Sequence, residues 1–544
     1  MEPQPSAKQW PFAFIAVLAA SASAFFFGLG RLGFLGPDEP RYAEVAREMF
    51  ASGDYISTRL CGCLWFEKPV LLYWMSAAGF RLFGVNEFAA RLPSALAALT
   101  TVALLCAALR RLALPRLALA ASVVLGTSGI FIAFARVATP DMLLTATITA
   151  ALVSALLFTR AIGRNRSIYW GLSWLFMGLG MLAKGLVGVV LVVAIVAVYF
   201  AVSGQVRSVR WRDLLIGIVI FLSVAGSWYV PIIMRHGWAF IEEFFIRHHF
   251  ERYTTNEFGH PQPVYFFLLV ALAGTAPWMF FLIPALSRLR SLKPRDNIRD
   301  SIMTLAWVWV AVPLLFFSVS ESKLPGYILP IFPALAIIIG SEVERVWMGD
   351  RNRALRVVLW VTALALVGMG AGFLVYLHRE SVSLNGWRAA VAGMPLGLAL
   401  VSAVALAAHK QRALIAGAAG MVVVIVLASV ILLFPTLRDE VSLKALSLEA
   451  AAALRPGEKI GFYLKKDFAA VFYAEGRVLC EPRRGTTFYA LHQDMVADAL
   501  ASESSLVLIT DSRWLEGLEN DPRFTTEFIA AHDDALAVRV SPKR

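Results

Sequence analysis

Two adjacent carboxylates, Asp38 and Glu39, sit between Pro37 and Pro40 just past the first apolar run, and Arg41, Tyr42 and a helix-compatible stretch to Ala51 follow them. Pro40 suits the first turn of that helix, which puts the acids near its positive end, where they either cap it or face a reactant. The same polar segment closes on Glu67-Lys68-Pro69. A lysine at the mouth of an apolar helix is a natural phosphate contact, with snorkelling to the interface as the structural alternative. Asp141 opens a later apolar run, as an N-cap or as a working carboxylate. Lys184 is a lone cation in the turn Leu182-Ala183-Lys184-Gly185. A longer gap carries His248, His249, Arg252 and His260, and another carries Lys323 and Tyr327. Carboxylates and cations interleaved beside apolar runs suit the binding of a phosphate on a lipid and the orientation or activation of an attacking group. Glu67 with His248 or His249 also suits Zn²⁺, which takes both carboxylate and imidazole, although no CxxC or HExxH spacing supports a metal.

The elements that must carry these residues follow from composition. The chain has 544 residues, 58% of them hydrophobic and only 16% charged. Soluble domains average roughly 45–50% apolar and about 25% charged. A water-compatible exterior and a disordered chain are both excluded, and four cysteines exclude a disulfide framework. The net charge of +12 does not signal nucleic acid, because the basic residues fall in short clusters between apolar runs. The class is an α-helical polytopic membrane protein.

A crossing takes roughly 20 apolar residues. Thirteen runs qualify with soft edges: 11–30, 87–109, 117–134, 142–159, 168–183, 186–203, 214–231, 263–285, 301–318, 327–341, 356–377, 389–408 and 413–434. Arg and Lys cluster at every second gap, for example Arg110/Arg111/Arg116, Arg160/Arg164/Arg166 and Arg207/Arg210/Arg212. Positive short loops stay cytoplasmic, so the N-terminus is expected inside and the C-terminus outside. Residues 69–83 form a further short apolar stretch. Counting it as a crossing would put every later cluster outside, so it is expected to be interfacial or re-entrant. Lys8 and Ala20–Ala24 resemble a cleavable leader, but the first run is near full span length and a retained first helix is expected.

The expected transmembrane unit is 1–435, with outer loops 31–68, 135–141, 232–262 and 319–326. From 436 the apolar runs shorten to strand length (Lys459–Leu464, Ser505–Thr510, Leu536–Val540) between helical patterns at 443–454 and 493–502. This predicts a small extracytoplasmic α/β domain over 436–544.

Seven segments in order, DEPRYAEVAREM, FEKPVLLYW, ARLPSAL, TPDM, LAKG, the HH-x-x-R-Y loop and KLPGYILPIFPALA, make the chain resemble the bacterial GT-C glycosyltransferases. The resemblance is to the branch similar to protein O-mannosyltransferases, and most closely to the lipid A aminoarabinose transferases. Leu186 after LAKG is a mild departure from the family's proline.

The resemblance implies a bilayer-embedded enzyme of the bacterial inner membrane with a periplasmic site. It would move 4-amino-4-deoxy-L-arabinose from an undecaprenyl-phosphate donor to a lipid A phosphate. Lys68, Arg252, Lys184 and Tyr327 would hold the donor phosphate; Asp38, Glu39 and Asp141 are the catalytic candidates; Arg41, Tyr42, Lys323 and His260 belong to the acceptor side and loops. A phosphate leaves without much protonation, so positive charge should carry the leaving-group side. An ionised phosphate acceptor needs no strong base, whereas a hydroxyl acceptor would demand base catalysis from Asp38. No cofactor is required beyond the possible metal, no nucleic acid is expected, and a monomer is. The competing readings are a transferase for another sugar or for a protein or envelope-glycan acceptor, and a lipid-linked sugar flippase. The flippase would need ionisable residues at mid-membrane, where few occur.

Overall fold

The structure, a computed structural model, describes residues 9–251, 261–293, 297–350, 352–437, 442–464, 468–479, 490–491, 495–496, 500 and 505–543. Every one of the thirteen apolar runs lies on helix. The first ten helices are α1 (Gln9–Phe26), α2 (Asp38–Ser52), α3 (Leu71–Phe83), α4 (Glu87–Arg111), α5 (Pro115–Gly126), α6 (Gly129–Ala135), α7 (Pro140–Arg160), α8 (Gly163–Lys184), α9 (Val187–Ser203) and α10 (Trp211–Ile241). Longer helices follow over Ile298–Ser318, Phe332–Trp347, Arg353–Arg379, Trp387–Ala407 and Gln411–Ala428.

Among the described residues, eight helices are long and apolar enough to cross a bilayer, or up to ten if each bent pair counts once. Helix length among the described residues does not confirm the expected count of thirteen spans. The 117–134 run is broken between α5 and α6 with a 66° bend, and the 263–285 run is broken by 108° between Phe266–Gly274 and Trp278–Ser287. Periodicity sees apolar content but not such breaks. The chain is a multi-pass helical membrane protein. Helix α3 has 13 residues; at 1.5 Å per residue it reaches about 20 Å, short of a hydrocarbon core of about 30 Å. An interfacial place for 69–83 is what this length allows.

The enclosed centre of the bundle is Pro140–Arg160 and Pro325–Trp347, whose apolar windows are 83% and 94% buried, against 28% for Trp211–Arg247. The gaps expected on one side converge. Arg136 donates to the carbonyls of Ala24 (2.9 Å) and Phe25 (3.3 Å), tying the end of α1 to the start of α7. At the opposite end Arg345 pairs with Glu342 and Asp350, each at 2.5 Å, and Arg299 pairs with Glu344.

The polar segment after α2 forms a two-residue hairpin, β1 (Arg59–Leu60) with β2 (Cys63–Leu64). Beyond 442 the strands are β3 (Lys459–Tyr463), β4 (Ala490–Leu491), β5 (Leu506–Asp511), β6 (Phe524–His532) and β7 (Ala535–Pro542), in the order β4-β3-β5-β7-β6. β3 runs parallel to β4 and β5, whereas β7 is antiparallel to both of its neighbours. The three predicted strands are present. β6 was not predicted: its burial alternates irregularly across a shift between Phe528 and Ala530, which blurs the period-two signal. The helix predicted over 443–454 is Lys444–Ala452, and most of 493–502 lies outside the described residues.

One buried pair fastens the outer end. Arg91 on α4 donates to Glu39 through Nε (2.9 Å) and Nη2 (2.8 Å), and its remaining N–H groups reach the carbonyls of Leu29, Leu32 and Gly33. The backbone N–H groups of Leu35 and Ala138 also donate to Glu39. Side-chain exposure is 2% for Arg91 and 1% for Glu39. Arg91→Met would strand a buried carboxylate and is expected to cost about 3–5 kcal/mol, read as a large fall in the thermal unfolding midpoint in detergent. Glu39→Gln would strand the Arg91 guanidinium instead, but the amide oxygen and the carbonyls of Leu29, Leu32 and Gly33 still accept from it, so it should cost less. An Arg91→Met midpoint equal to wild type would contradict this role.

Candidate active site

The N-terminal ends of α2 and α7, the C-terminal end of α8 and the segment before Phe332 enclose a cavity of about 540 Å³. Its polar wall carries Asp38, Tyr42, Glu67, Lys68, Thr139, Asp141, Lys184, Ser320 and Tyr327, and the rest is apolar, with Leu144, Leu186, Val187, Val190, Phe316 and Phe317.

Two ion-pair groups face this space. In the first, Arg41 pairs with Asp38, donates from Nε to the Pro37 carbonyl (2.8 Å), and lies 3.6 Å from Glu67, which accepts from Lys68 at 3.0 Å. Burial alone would lower the Arg41 guanidinium, but Glu67, Tyr42 and Asp38 outweigh it and raise it. Burial, reinforced by Asp38 and Glu67, holds the Tyr42 phenol well above its usual range, so it stays protonated as a donor. In the second group, Lys184 donates to Asp141, and its ammonium lies 5.0 Å over the Tyr327 ring. Gly185, at φ +75°, ends α8 in a conformation that L side chains rarely adopt and so places Lys184 at the turn. Gly326 permits the last contact: a Cβ there would lie 2.8 Å from both Asp141 Oδ1 and Phe134 Cε1.

The structure brings Asp38, Tyr42, Lys68, Asp141, Lys184 and Tyr327 together, as the sequence suggests. It separates Glu39 from them. Glu39 does not line the cavity; its carboxylate points back into Arg91 and two backbone N–H groups. Adjacent residues on a helix are about 100° apart, so one acid of the pair faces the cavity and the other the bundle. Lys323 is buried and does not line the cavity; it donates to the carbonyl of Ser320 at 2.5 Å. Glu67 faces two cations, which does not fit a metal ligand, and among the described residues no three His, Cys, Asp or Glu side chains converge. The side chains of His248 and His249, and all of Arg252 and His260, lie outside the described residues. Thr139 was missed: its hydroxyl is buried at the cavity wall with no hydrogen-bond partner among the described residues, a donor position that no sequence spacing signals.

Next to the cavity, the loop after α2 is fastened to the end of α10. Arg235 donates to Asp54 (2.7 Å) and to Ser57 Oγ (3.1 Å), and Ser57 Oγ lies 2.9 Å from His236 Nε2. Ser57 Oγ thus bridges the Arg235 guanidinium and the His236 imidazole. The Trp228 indole adds a bond to the Ile56 carbonyl at 2.9 Å.

Residues 67–229 match the family described as dolichyl-phosphate-mannose-protein mannosyltransferase. The chain is 30% identical over 425 residues to the undecaprenyl phosphate-alpha-4-amino-4-deoxy-L-arabinose arabinosyl transferase of Pectobacterium carotovorum subsp. carotovorum (strain PC1), covering 71% of this chain and 74% of the relative. Its fold is similar to that of ArnT from Cupriavidus metallidurans, crystallised with undecaprenyl phosphate (TM-score 0.79, 25% identity, 98% of each chain). In fold alone it is also similar to the oligosaccharyltransferase AglB from Archaeoglobus fulgidus (TM-score 0.52, 10% identity, 98% of this chain and 74% of that one).

Gly326→Ala is expected to destabilise the protein by about 1–3 kcal/mol through overpacking. The loss should be smaller in an Asp141→Ala background, where the clashing carboxylate is gone, and equal losses in thermal unfolding would contradict the contact. Burial first, then Arg235 and Arg59, lower the His236 pKa. A lowered imidazole contributes stability above its ordinary value of about 6.5 that is lost as pH falls. Limited proteolysis of the 54–64 loop should therefore accelerate on acidification below that value. His236→Gln should flatten the dependence, and an unchanged profile would refute the tether.

Proposed function

The chain belongs to the undecaprenyl phosphate-4-amino-4-deoxy-L-arabinose arabinosyl transferase family, and from that premise we propose that it moves this aminosugar from its undecaprenyl-phosphate carrier to a phosphate of lipid A at the periplasmic face of the inner membrane. It is a polyprenyl-phosphate-sugar-dependent glycosyltransferase of the GT-C class. The observation that carries the reading is one cavity that is apolar over most of its surface and has two lysines and two aspartates on its remaining wall. The polyprenyl chain lies along Leu186, Val187 and Val190. The donor phosphate meets Lys68, Lys184 and the Tyr327 hydroxyl.

In transfer, an oxygen of the acceptor phosphate attacks the anomeric carbon while the bond from that carbon to the donor phosphate oxygen breaks. The electron pair departs on undecaprenyl phosphate, an anion stabilised by the lysines without a proton. Lys184 leaves Asp141 for the phosphate as charge builds there, which makes Asp141 a positioning residue for that cation. Asp38, held by Arg41, lies on the acceptor side and stabilises the positive charge developing on the sugar ring and its amine. Glu39, Arg91 and Lys323 hold the frame, and no step passes through a metal. The frame comprises residues 1–435, with 436–544 as an outer unit on a monomeric chain.

Mass spectrometry of lipid A from cells with and without this gene tests the reading, with an expected shift of one aminopentose; no shift would overturn it. In vesicles, Asp38→Asn should cut transfer by about 10²-fold or more. Lys68→Ala and Lys184→Ala should raise the donor KM. Full transfer by both Asp38→Asn and Asp141→Asn would refute the assignment of the acids.

A further inference from the structure

Among the described residues, the sheet-bearing C-terminal region meets the catalytic end at several places, of which two bear on the site. Its short helix Ala469–Tyr473 packs beside α2 and α3, with Phe472 ring contacts to Phe34 (4.8 Å) and Phe80 (6.4 Å). Tyr473 donates to Glu87 at 2.8 Å and accepts from the Phe34 N–H at 3.1 Å, while Lys444 reaches the same Glu87 oxygen at 2.5 Å. The second contact lies at the site itself. Phe468, immediately before this helix, places its ring 4.9 Å from the Arg41 guanidinium. Trp65, from the first outer loop, lies 5.8 Å from the same group.

Arg41 is the cation that pairs with Asp38 and approaches Glu67, both on the cavity wall. A guanidinium over an aromatic face is attracted by the ring quadrupole, more strongly where water is partly excluded. The flat ring restricts its plane, and the plane fixes the direction of the N–H groups toward carboxylates. Resting on the transfer reading above, we propose that the C-terminal outer unit completes the active site, with Phe468 as a positioning residue that holds Arg41 in the orientation that aims Asp38. The ring touches no reacting atom, and its effect passes through Arg41 to the carboxylate.

The test uses the full chain in vesicles with the lipid-linked aminosugar donor and lipid A. Phe468→Ala should lower kcat about tenfold, as expected for a partly desolvated cation–π contact, with donor KM within about twofold of wild type. Phe468→Tyr, which keeps the aromatic face, should restore kcat, and Phe468→Leu, which keeps apolar bulk, should not. Wild-type kcat in Phe468→Leu, or a change confined to KM, would overturn the proposal. A second measurement needs no turnover: the melting-temperature shifts of Phe468→Ala and Arg41→Lys should fail to add in the double variant. Additive shifts would overturn the proposal. A wild-type protein inactive on this donor and acceptor would sink the transfer reading and leave the coupling measurement standing.

Discussion

The cavity end of the bundle depends on one buried ion pair, Glu39 with Arg91. A carboxylate and a guanidinium removed from water are tolerated only where geometry is good and the remaining lone pairs and N–H groups are bonded. Both conditions hold, since Arg91 has three carbonyls besides Glu39, and Glu39 has two backbone N–H groups besides Arg91. The pair joins four places in the chain: the segment after α1, the start of α2, α4 and the residues just before α7. Asp38 is next to Glu39 in the chain, and Asp141 lies three residues beyond Ala138. The distance between the two cavity carboxylates is thus set by a residue that faces away from the cavity.

At rest, the site's cations are matched by its acids. Lys184 is on Asp141, Lys68 on Glu67, and Arg41 on Asp38. In a partly water-excluded cavity these contacts are stronger than at a surface, so an arriving phosphate exchanges partners with carboxylates and does not simply fill a positive hole. Such exchange keeps the lysines desolvated and aimed before the lipid arrives, at the cost of attraction to any single anion. It also favours a ligand that brings apolar contacts with its charge, because the apolar wall supplies binding that the neutralised cations do not.

Much of this was legible in the sequence. The apolar runs located the helices, and the motif residues Asp38, Lys68, Asp141, Lys184 and Tyr327 do share one cavity. What was not legible is direction. Asp38 and Glu39 read as a unit, yet one helical step sends them to opposite sides. Lys323 and Tyr327 share a motif, but the lysine turns to the Ser320 carbonyl while the tyrosine lines the cavity. Hydropathy also hid the two sharp breaks, since a bent helix and a straight one have the same composition. The aromatic contribution of Phe468 left no trace, because nothing in the chain order announces that residue 468 returns to residue 41.

The Tyr473–Glu87–Lys444 joint bears on how the protein is made. Glu87 and Phe34 bracket the first outer loop, and both are fastened by residues from the last quarter of the chain. Chains are synthesised and inserted from the N-terminus, so the segment holding Asp38 and Lys68 reaches its compartment long before its partners are translated. Its final packing must wait until Lys444 and Tyr473 have been made. Assembly of the catalytic end is therefore a late event in biogenesis, and a ribosome stalled anywhere in the bundle would leave behind an inserted but unfinished enzyme.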